Sequence, residues 1–347
     1  MVYANYSDYI KPLDEFVSTV LNESSISQCN LDIADHSVQI ISSYEPLINV
    51  LMPSIEHLSC HSSINTPDFK IFLVDLSQTT GGKLPVIPWE PLLRRGHRGI
   101  LVDGLYMQFV HIKPEDIMIL SVYDTHKNQA YYIVSDTEKL PWYISGAPLH
   151  EVFYWWARSN NMHILHCGVV GSQDSGIALL GAKGAGKSTM VLTCLENGFD
   201  YISEDYCIVS GDESPVAHSL YNSAKFTAYT FENFPHLSIH KKNIETINGK
   251  HLVYYKDIYP QKLLKKLPIK ALVSLNLKVG EPSILTQLDK NQAYLDMIAS
   301  TTLQNPVYEL SSTDFFQKMK FKIPAYELLF GADTKKTQEL LSQLIHQ

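Results

Sequence analysis

The chain has 347 residues, 45% hydrophobic and 18% charged, enough for a sizeable core in two domains or in one with a large extension. Its net charge of −8 argues against nonspecific affinity for nucleic acid or an anionic membrane. No run approaches the length of a bilayer-spanning helix, and the polar, acidic start MVYANYSDYIKPLDEF does not read as a secretion signal.

In chain order, YIKPLDEFVSTVL (9–21) predicts a helix with a proline near its start. VQIISS, FKIFLVDL, GILVDGLYMQFVHI, IMILSVYD and QAYYIVSD are β-branched and aromatic runs broken by turn residues, and they read as strands. TTGGKLPVIPWEP between them reads as a loop. The texture changes near Pro141, Gly146 and Pro148, so the expected organisation is a β-rich N-terminal domain, 1–143, and a second domain, 144–347. Leu149, Val152, Phe153, Trp156 and Ala157 then recur at helical spacing. MHILHCGVVGS and GIALL predict strands, TMVLTCLENG a helix stopped by Gly198, and YISEDYCIVS another strand. Residues 229–266 are lysine-rich and predict an irregular surface excursion. LPIKALVSLNLKV and KIPAYELLFG predict strands, and NQAYLDMIAST and TKKTQELLSQLIHQ helices. Five cysteines, an odd number without a CxxC pair, fit a reducing compartment and a cytoplasmic location.

The chemistry concentrates in GAKGAGKST, residues Gly181, Ala182, Lys183, Gly184, Ala185, Gly186, Lys187, Ser188 and Thr189. This is G-x-x-x-x-G-K-[ST], a loop whose backbone N–H groups cradle nucleotide phosphates at a helix start. Lys187 is placed to reach the β- and γ-phosphates and the Ser188 hydroxyl to ligate Mg²⁺. Glu204 and Asp205 follow on the strand after the loop's helix. Two adjacent acids on an otherwise apolar strand are costly to bury without a metal or proton. Strand alternation points them to opposite sides unless the strand ends or bulges there. One is expected to face Mg²⁺ and the other to take the nucleophile's proton. His166, on the strand leading toward the loop, is equally readable as a packed core residue or a member of the site.

The succession HCGVV, GIALLGAKGAGKST and an acidic pair one helix later resembles the catalytic domain of HPr kinase/phosphorylase. That resemblance spans roughly residues 144–335. It implies an α/β P-loop domain of the type shared with ATP-dependent phosphoenolpyruvate carboxykinase, behind a mostly β (α+β) N-terminal domain. It further implies ATP and Mg²⁺ as cofactors, His166 beside the phosphates, and the acidic pair at the metal and the acceptor. Asp205 is assigned to Mg²⁺ and Glu204 to the base. The family's Arg-Gly-x-Gly signature is missing, since no arginine follows Ser159. The chain therefore resembles the related kinases that lack that signature, some of which phosphorylate serines on other peptides or act on small molecules. By the same resemblance a homo-oligomer is expected.

Only four of the 28 basic residues are arginine, and Arg94, Arg95 and Arg98 cluster in LLRRGHRG. Phosphoryl transfer needs cations beyond the loop lysine. Lys225 is one candidate and Arg98 or Arg95 another, each weighed against a solvated surface position. The expected function is Mg²⁺- and ATP-dependent transfer to a hydroxyl, on a serine of a protein or peptide. The alternatives are a small-molecule kinase, distinguished by a closed acceptor pocket, and a nucleotide-gated binding module without transfer. A guanine-specific NKxD signature is absent.

Overall fold

The computed structural model describes residues 5–60, 66–80, 83–84, 98–113, 115–172, 174–182, 184–211, 213–242, 248–278, 280–304, 323–331 and 333–345. They form a mixed α/β structure that divides into two compact units, Met1–Asn160 and Asn161–Gln347. Among the described residues no helix is long and apolar enough to cross a membrane.

The first unit opens with α1 (Tyr6–Glu23), which starts earlier than the apolar spacing alone suggests because Asn5 and Asp8 form a capping box. Ile10, Leu13, Val17 and Val20 form its buried stripe. Then come β1 (Ser27–Ile33), β2 (His36–Ser42), α2 (Glu45–Leu51), β3 (Phe69–Asp75), β4 (Arg98–Val102), β5 (Leu105–Ile112), β6 (Ile117–Asp124) and β7 (Gln129–Val134). They make one seven-stranded sheet in the order β1-β2-β3-β7-β6-β5-β4. Its β2–β3 and β3–β7 pairs are parallel and the rest antiparallel.

The helix α3 (His150–Ser159) belongs to this unit, so the division falls at 160/161 and not at the expected 143/144. The reason is its aromatic face. Trp156 stacks on Phe69 with ring centroids 5.3 Å apart, and Trp155 stacks on Tyr106 at 5.7 Å. The Pro and Gly cluster that marked the junction forms a 3₁₀ turn, Trp142–Gly146, leading into that helix.

The second unit runs through β8 (His163–His166), β9 (Gly168–Ser172), β10 (Ser175–Leu180), α4 (Lys187–Glu196), β11 (Asp200–Ser203), β12 (Tyr206–Ser210), β13 (Val216–Ser219), β14 (Ser223–Thr227), α5 (Ala228–Asn233), β15 (Lys250–Tyr254), β16 (Lys266–Leu277), β17 (Ile284–Gln287), α6 (Lys290–Gln304), β18 (Ala325–Phe330) and α7 (Thr334–Ile345). Its nine-stranded sheet has β10 and β18 parallel to the long strand β16, with the order β11-β9-β10-β16-β13-β12-β8 and β18 and β17 branching from β16. Helices cover both faces. Ile177 and Leu179 of β10 pack with Met190 and Val191 of α4 and Leu341 of α7. Ala178 and Leu180 pack with Ala293 and Met297 of α6. A strand apolar on both faces reads as a continuous run, which is why GIALL shows no alternation.

Two runs expected as single strands are each broken in the middle. MHILHCGVVGS divides at Cys167, with β8 pairing β12 and β9 pairing β10 and β11. YISEDYCIVS divides at Glu204 and Asp205. Residues 229–266, expected as an irregular excursion, contain α5, 3₁₀ turns and β15, which pairs antiparallel with β14. The hairpin is held by Phe226, Val253 and Tyr255, which join the α4 core, so the described part of this segment is more regular than its lysines suggested.

Candidate functional site

β10 delivers the chain to Gly181, and α4 begins at Lys187. The residue capping α4 is Gly186, at φ 89°, a left-handed conformation that costs a residue with a side chain about 1–2 kcal/mol. A Cβ there would also lie 2.8 Å from the ring of Phe330. No side chain caps the helix, so its first N–H groups and its positive end remain for a ligand. The Lys187 side chain folds back and donates to the Gly181 carbonyl at 2.6 Å. Burial pushes its ammonium pKa down, while Asp205 and Glu204 pull it up. Close approach of α4 to β9 requires Gly168, where a Cβ would meet the Val191 side chain at 2.7 Å.

The break between β11 and β12 answers the alternation problem. Glu204 and Asp205 occupy the crossover between two strands, and both side chains border the same cavity. Their environments differ. Glu204 is 7% exposed and borders the same cavity as Ser188. Burial, then the neighbouring Asp205 charge, raises its pKa to about 7, against the pull of Ser188, Lys225 and Lys250. Burial works against ionisation of Asp205 too, but there it is outweighed. The hydrogen bond and charge of His166, with Lys225 and Lys187, hold that carboxyl low, at about 2.

His166 reaches Asp205 because β8 pairs with β12 in a register that sets His166 opposite Tyr206. Its Nε2 lies 2.8 Å from Asp205 Oδ1, and facing an ionised carboxylate this nitrogen carries the proton. Its Nδ1 lies 2.8 Å from the Ser300 hydroxyl, which is also 3.0 Å from the His166 carbonyl and 3.2 Å from the Gly181 carbonyl. The histidine that holds Asp205 is thus itself fixed by α6 and tied to the first residue of the glycine loop.

One cavity of about 460 Å³ gathers Ala182, Gly184, Gly186, Lys187, Ser188, Thr189, His166, Glu204, Asp205 and Lys225. Gly181 borders a second cavity beside it. Ala185 packs against Gly181. Lys183, Arg94 and Arg95 lie outside the described residues. Arg98 opens β4 of the first unit, opposite Gln108, and its side chain is also outside the described set. Sequence reasoning missed Lys250, Thr227 and Thr230, which line the cavity from the hairpin and α5. Lys250 pairs with Thr227 across β14 and β15, two residues along from Lys225 on the same strand. The signal for Lys250 was there, a lysine heading the apolar run HLVYY, but nothing local says that this run pairs with SAKFT. Ser300, from 134 positions away in sequence, carried no signal.

Among the described residues no group of three or more His, Cys, Asp or Glu is arranged to hold a metal. What the site offers is a hydroxyl and two carboxylates bordering one cavity, Ser188, Glu204 and Asp205. Hard oxygens in that number suit Mg²⁺, which keeps several waters and combines one or two protein ligands with substrate phosphates. The expected assignment gave the metal to Asp205 and the base to Glu204. In the structure Asp205 is engaged by His166, and both acids border the cavity together with Ser188.

No protein-family model matches the sequence, and no curated protein does. Among solved structures the chain is similar to the Hpr(Ser) kinase/phosphatase from Coxiella burnetii. The two are 11% identical with a TM-score of 0.29, over 53% of this chain and 94% of that one.

Proposed function

We propose that the chain is a P-loop phosphotransferase that moves the γ-phosphoryl group of ATP to a hydroxyl, with Mg²⁺. The observation that carries this reading is one cavity bordered by an uncapped helix start, the Lys187 ammonium and two acids, one of them bonded to His166. A binding-only site needs the first two and has no use for the last.

Loop N–H groups and the α4 terminus hold the phosphates, and Lys187 exchanges its Gly181 carbonyl for phosphate oxygen. Ser188 and Glu204 would hold Mg²⁺, which when bound offsets phosphate charge. Asp205, kept ionised and oriented by His166, accepts the acceptor's hydroxyl proton. The hydroxyl oxygen forms a bond to Pγ, the bond from Pγ to the β,γ-bridging oxygen breaks, and ADP leaves. Lys225 and Lys250 face the two acids from the hairpin and stabilise charge spread over the moving phosphoryl oxygens. They supply the cations that the arginine-free second half of the sequence otherwise lacks.

The acceptor class is a hydroxyl, a serine side chain or a free hydroxyl compound. The test follows γ-labelled ATP with Mg²⁺ and fractionated cell extract, using wild type and Lys187→Ala, with ATP affinity measured alongside by calorimetry. We expect wild type to bind ATP and to transfer label, and Lys187→Ala to lose about tenfold or more in turnover. Absence of ATP binding would overturn the nucleotide reading. Binding without transfer to any fraction would overturn the phosphotransferase reading in favour of a nucleotide-gated module.

A further inference from the structure

Beside the phosphate cavity lies a second one of about 410 Å³, which shares His166, Gly181 and Ala182 with it. Its size suits one small molecule. Its far wall is built by three elements of the second unit. β16 contributes Ser274 and Asn276, which project to the same face of the strand. β18 contributes Glu327, whose Cα partner across the ladder is Ser274. One face of α6 contributes Gln292, Asp296 and Ser300 at successive turns.

The shared residues say which end of a bound nucleotide this cavity meets. The Lys187 ammonium lies 2.6 Å from the Gly181 carbonyl, and in a loop of this type that lysine reaches the β- and γ-phosphates. The second cavity therefore opens at the terminal phosphate. His166, bonded to Asp205, stands at the same opening.

The charge of the far wall selects what can sit there. Asp296 accepts from Ser274 at 2.6 Å and from Gln292 at 2.8 Å, and Glu327 accepts from Asn276 at 3.0 Å. These donors orient the carboxylates but do not neutralise them. Among the described residues lining the cavity there is no lysine or arginine. Two carboxylates in a recess beside a polyphosphate repel a carboxylate- or phosphate-bearing acceptor and attract a cation.

Building on the phosphotransfer reading, we propose that this second cavity is the acceptor site and that the acceptor is a small hydroxylated amine. Its ammonium sits between Asp296 and Glu327, and its hydroxyl points past His166 toward Asp205 and the γ-phosphate. The transfer is balanced: the substrate oxygen bonds to Pγ, ADP departs with the bridging oxygen, and the hydroxyl proton goes to Asp205. The amine stays protonated and takes no part in the bond changes. Selection works by rejection as well as attraction, because a neutral polyol of the same shape leaves both carboxylates without a counter-ion.

The test is a matched panel in the presence of Mg²⁺ and ATP. Ethanolamine, serinol and glucosamine are compared with ethylene glycol, glycerol and glucose, by calorimetry and by amine-dependent ADP release. At least one amine is expected to bind about tenfold or more tightly than its neutral counterpart. Asp296→Asn and Glu327→Gln, each isosteric and each checked for an unchanged melting curve, are expected to remove that preference. If all three amines bind no better than their neutral partners, or if both variants keep the preference, the proposal is overturned. ATP affinity of the wild-type chain is read in the same experiment. Its loss would overturn the phosphotransfer reading, whereas ATP binding without amine preference overturns only the acceptor assignment.

Discussion

The two adjacent acids show how environment separates identical chemistry. Glu204 and Asp205 share one cavity, yet the first is pushed toward neutrality by burial and by its neighbour, and the second is held ionised chiefly by His166. A carboxyl raised from 4.5 to about 7 on folding binds more protons in the folded than in the unfolded state across that window. Its contribution is therefore lost as pH rises from 4.5 through about 7, leaving the fold less stable above it. Glu204→Gln removes that cost. The variant should melt several degrees above wild type near pH 8 and close to it near pH 5, by calorimetry or circular dichroism, while transfer activity is lost at both. Equal melting points at both pH values would show that Glu204 is not charged against its surroundings. Asp205 behaves oppositely: depressed to about 2, it stabilises the fold above its ordinary range and withdraws that support only in strong acid. At this scale the sequence was informative about residue type and poor about roles. It offered an acidic pair, a histidine and a serine, but the contact that sets the two acids apart, His166 with Asp205, depends on side-chain direction at a strand break that no local pattern encodes.

The elements that carry the site are the loop, α4 and the β14–β15 hairpin. The turn into α4 was legible because its glycines at positive φ and the helix start at Lys187 follow from local backbone geometry. Gly186→Ala should destabilise the protein by about 1–2 kcal/mol through its positive φ, and by more if the Phe330 ring cannot move aside. It should also weaken ATP binding about tenfold or more by misdirecting the first N–H groups of α4, read by denaturant melts and calorimetry. An unchanged melt would mean the cap is not in the left-handed conformation. The hairpin was illegible for the opposite reason. SAKFT and KHLVY meet across 22 intervening residues, and pairing at that separation is decided by the core they bury against α4. Similarly, MHILHCGVVGS looked like one strand because both halves are apolar. Only the sheet order, with β8 and β9 on different neighbours, requires the break at Cys167.

Across the whole molecule, composition and site pull in different directions. The chain carries a net charge of −8, and the proposed function asks its cavity to hold a polyanion next to two carboxylates. Lys187, Lys225 and Lys250 are the cations lining it among the described residues, and on that proposal a divalent ion would make up the difference. Chelation with EDTA should weaken ATP binding about tenfold or more. Mg²⁺-dependent affinity should rise roughly tenfold from about pH 6 to about pH 8 as Glu204 ionises, with proton release visible by calorimetry in buffers of different ionisation enthalpy. A flat pH response would move the ion away from Glu204. The expected division followed a change of texture near residue 141, whereas a helix whose tryptophans stack on Phe69 and Tyr106 groups with the unit it packs against, whatever its place in sequence. The two strand breaks also bear on how related chains can differ in length. β8 and β12 pair in continuous register, so one residue added or deleted within either strand would turn its side chains, His166 among them, to the opposite face. The described residues between β14 and β15, 228–242 and 248–249, form no strand and have no such register to keep. Length variation among natural relatives should accumulate between those two strands and leave β8 and β12 untouched, so that the same seam of His166 and Asp205 can be handed on while its surroundings are rebuilt.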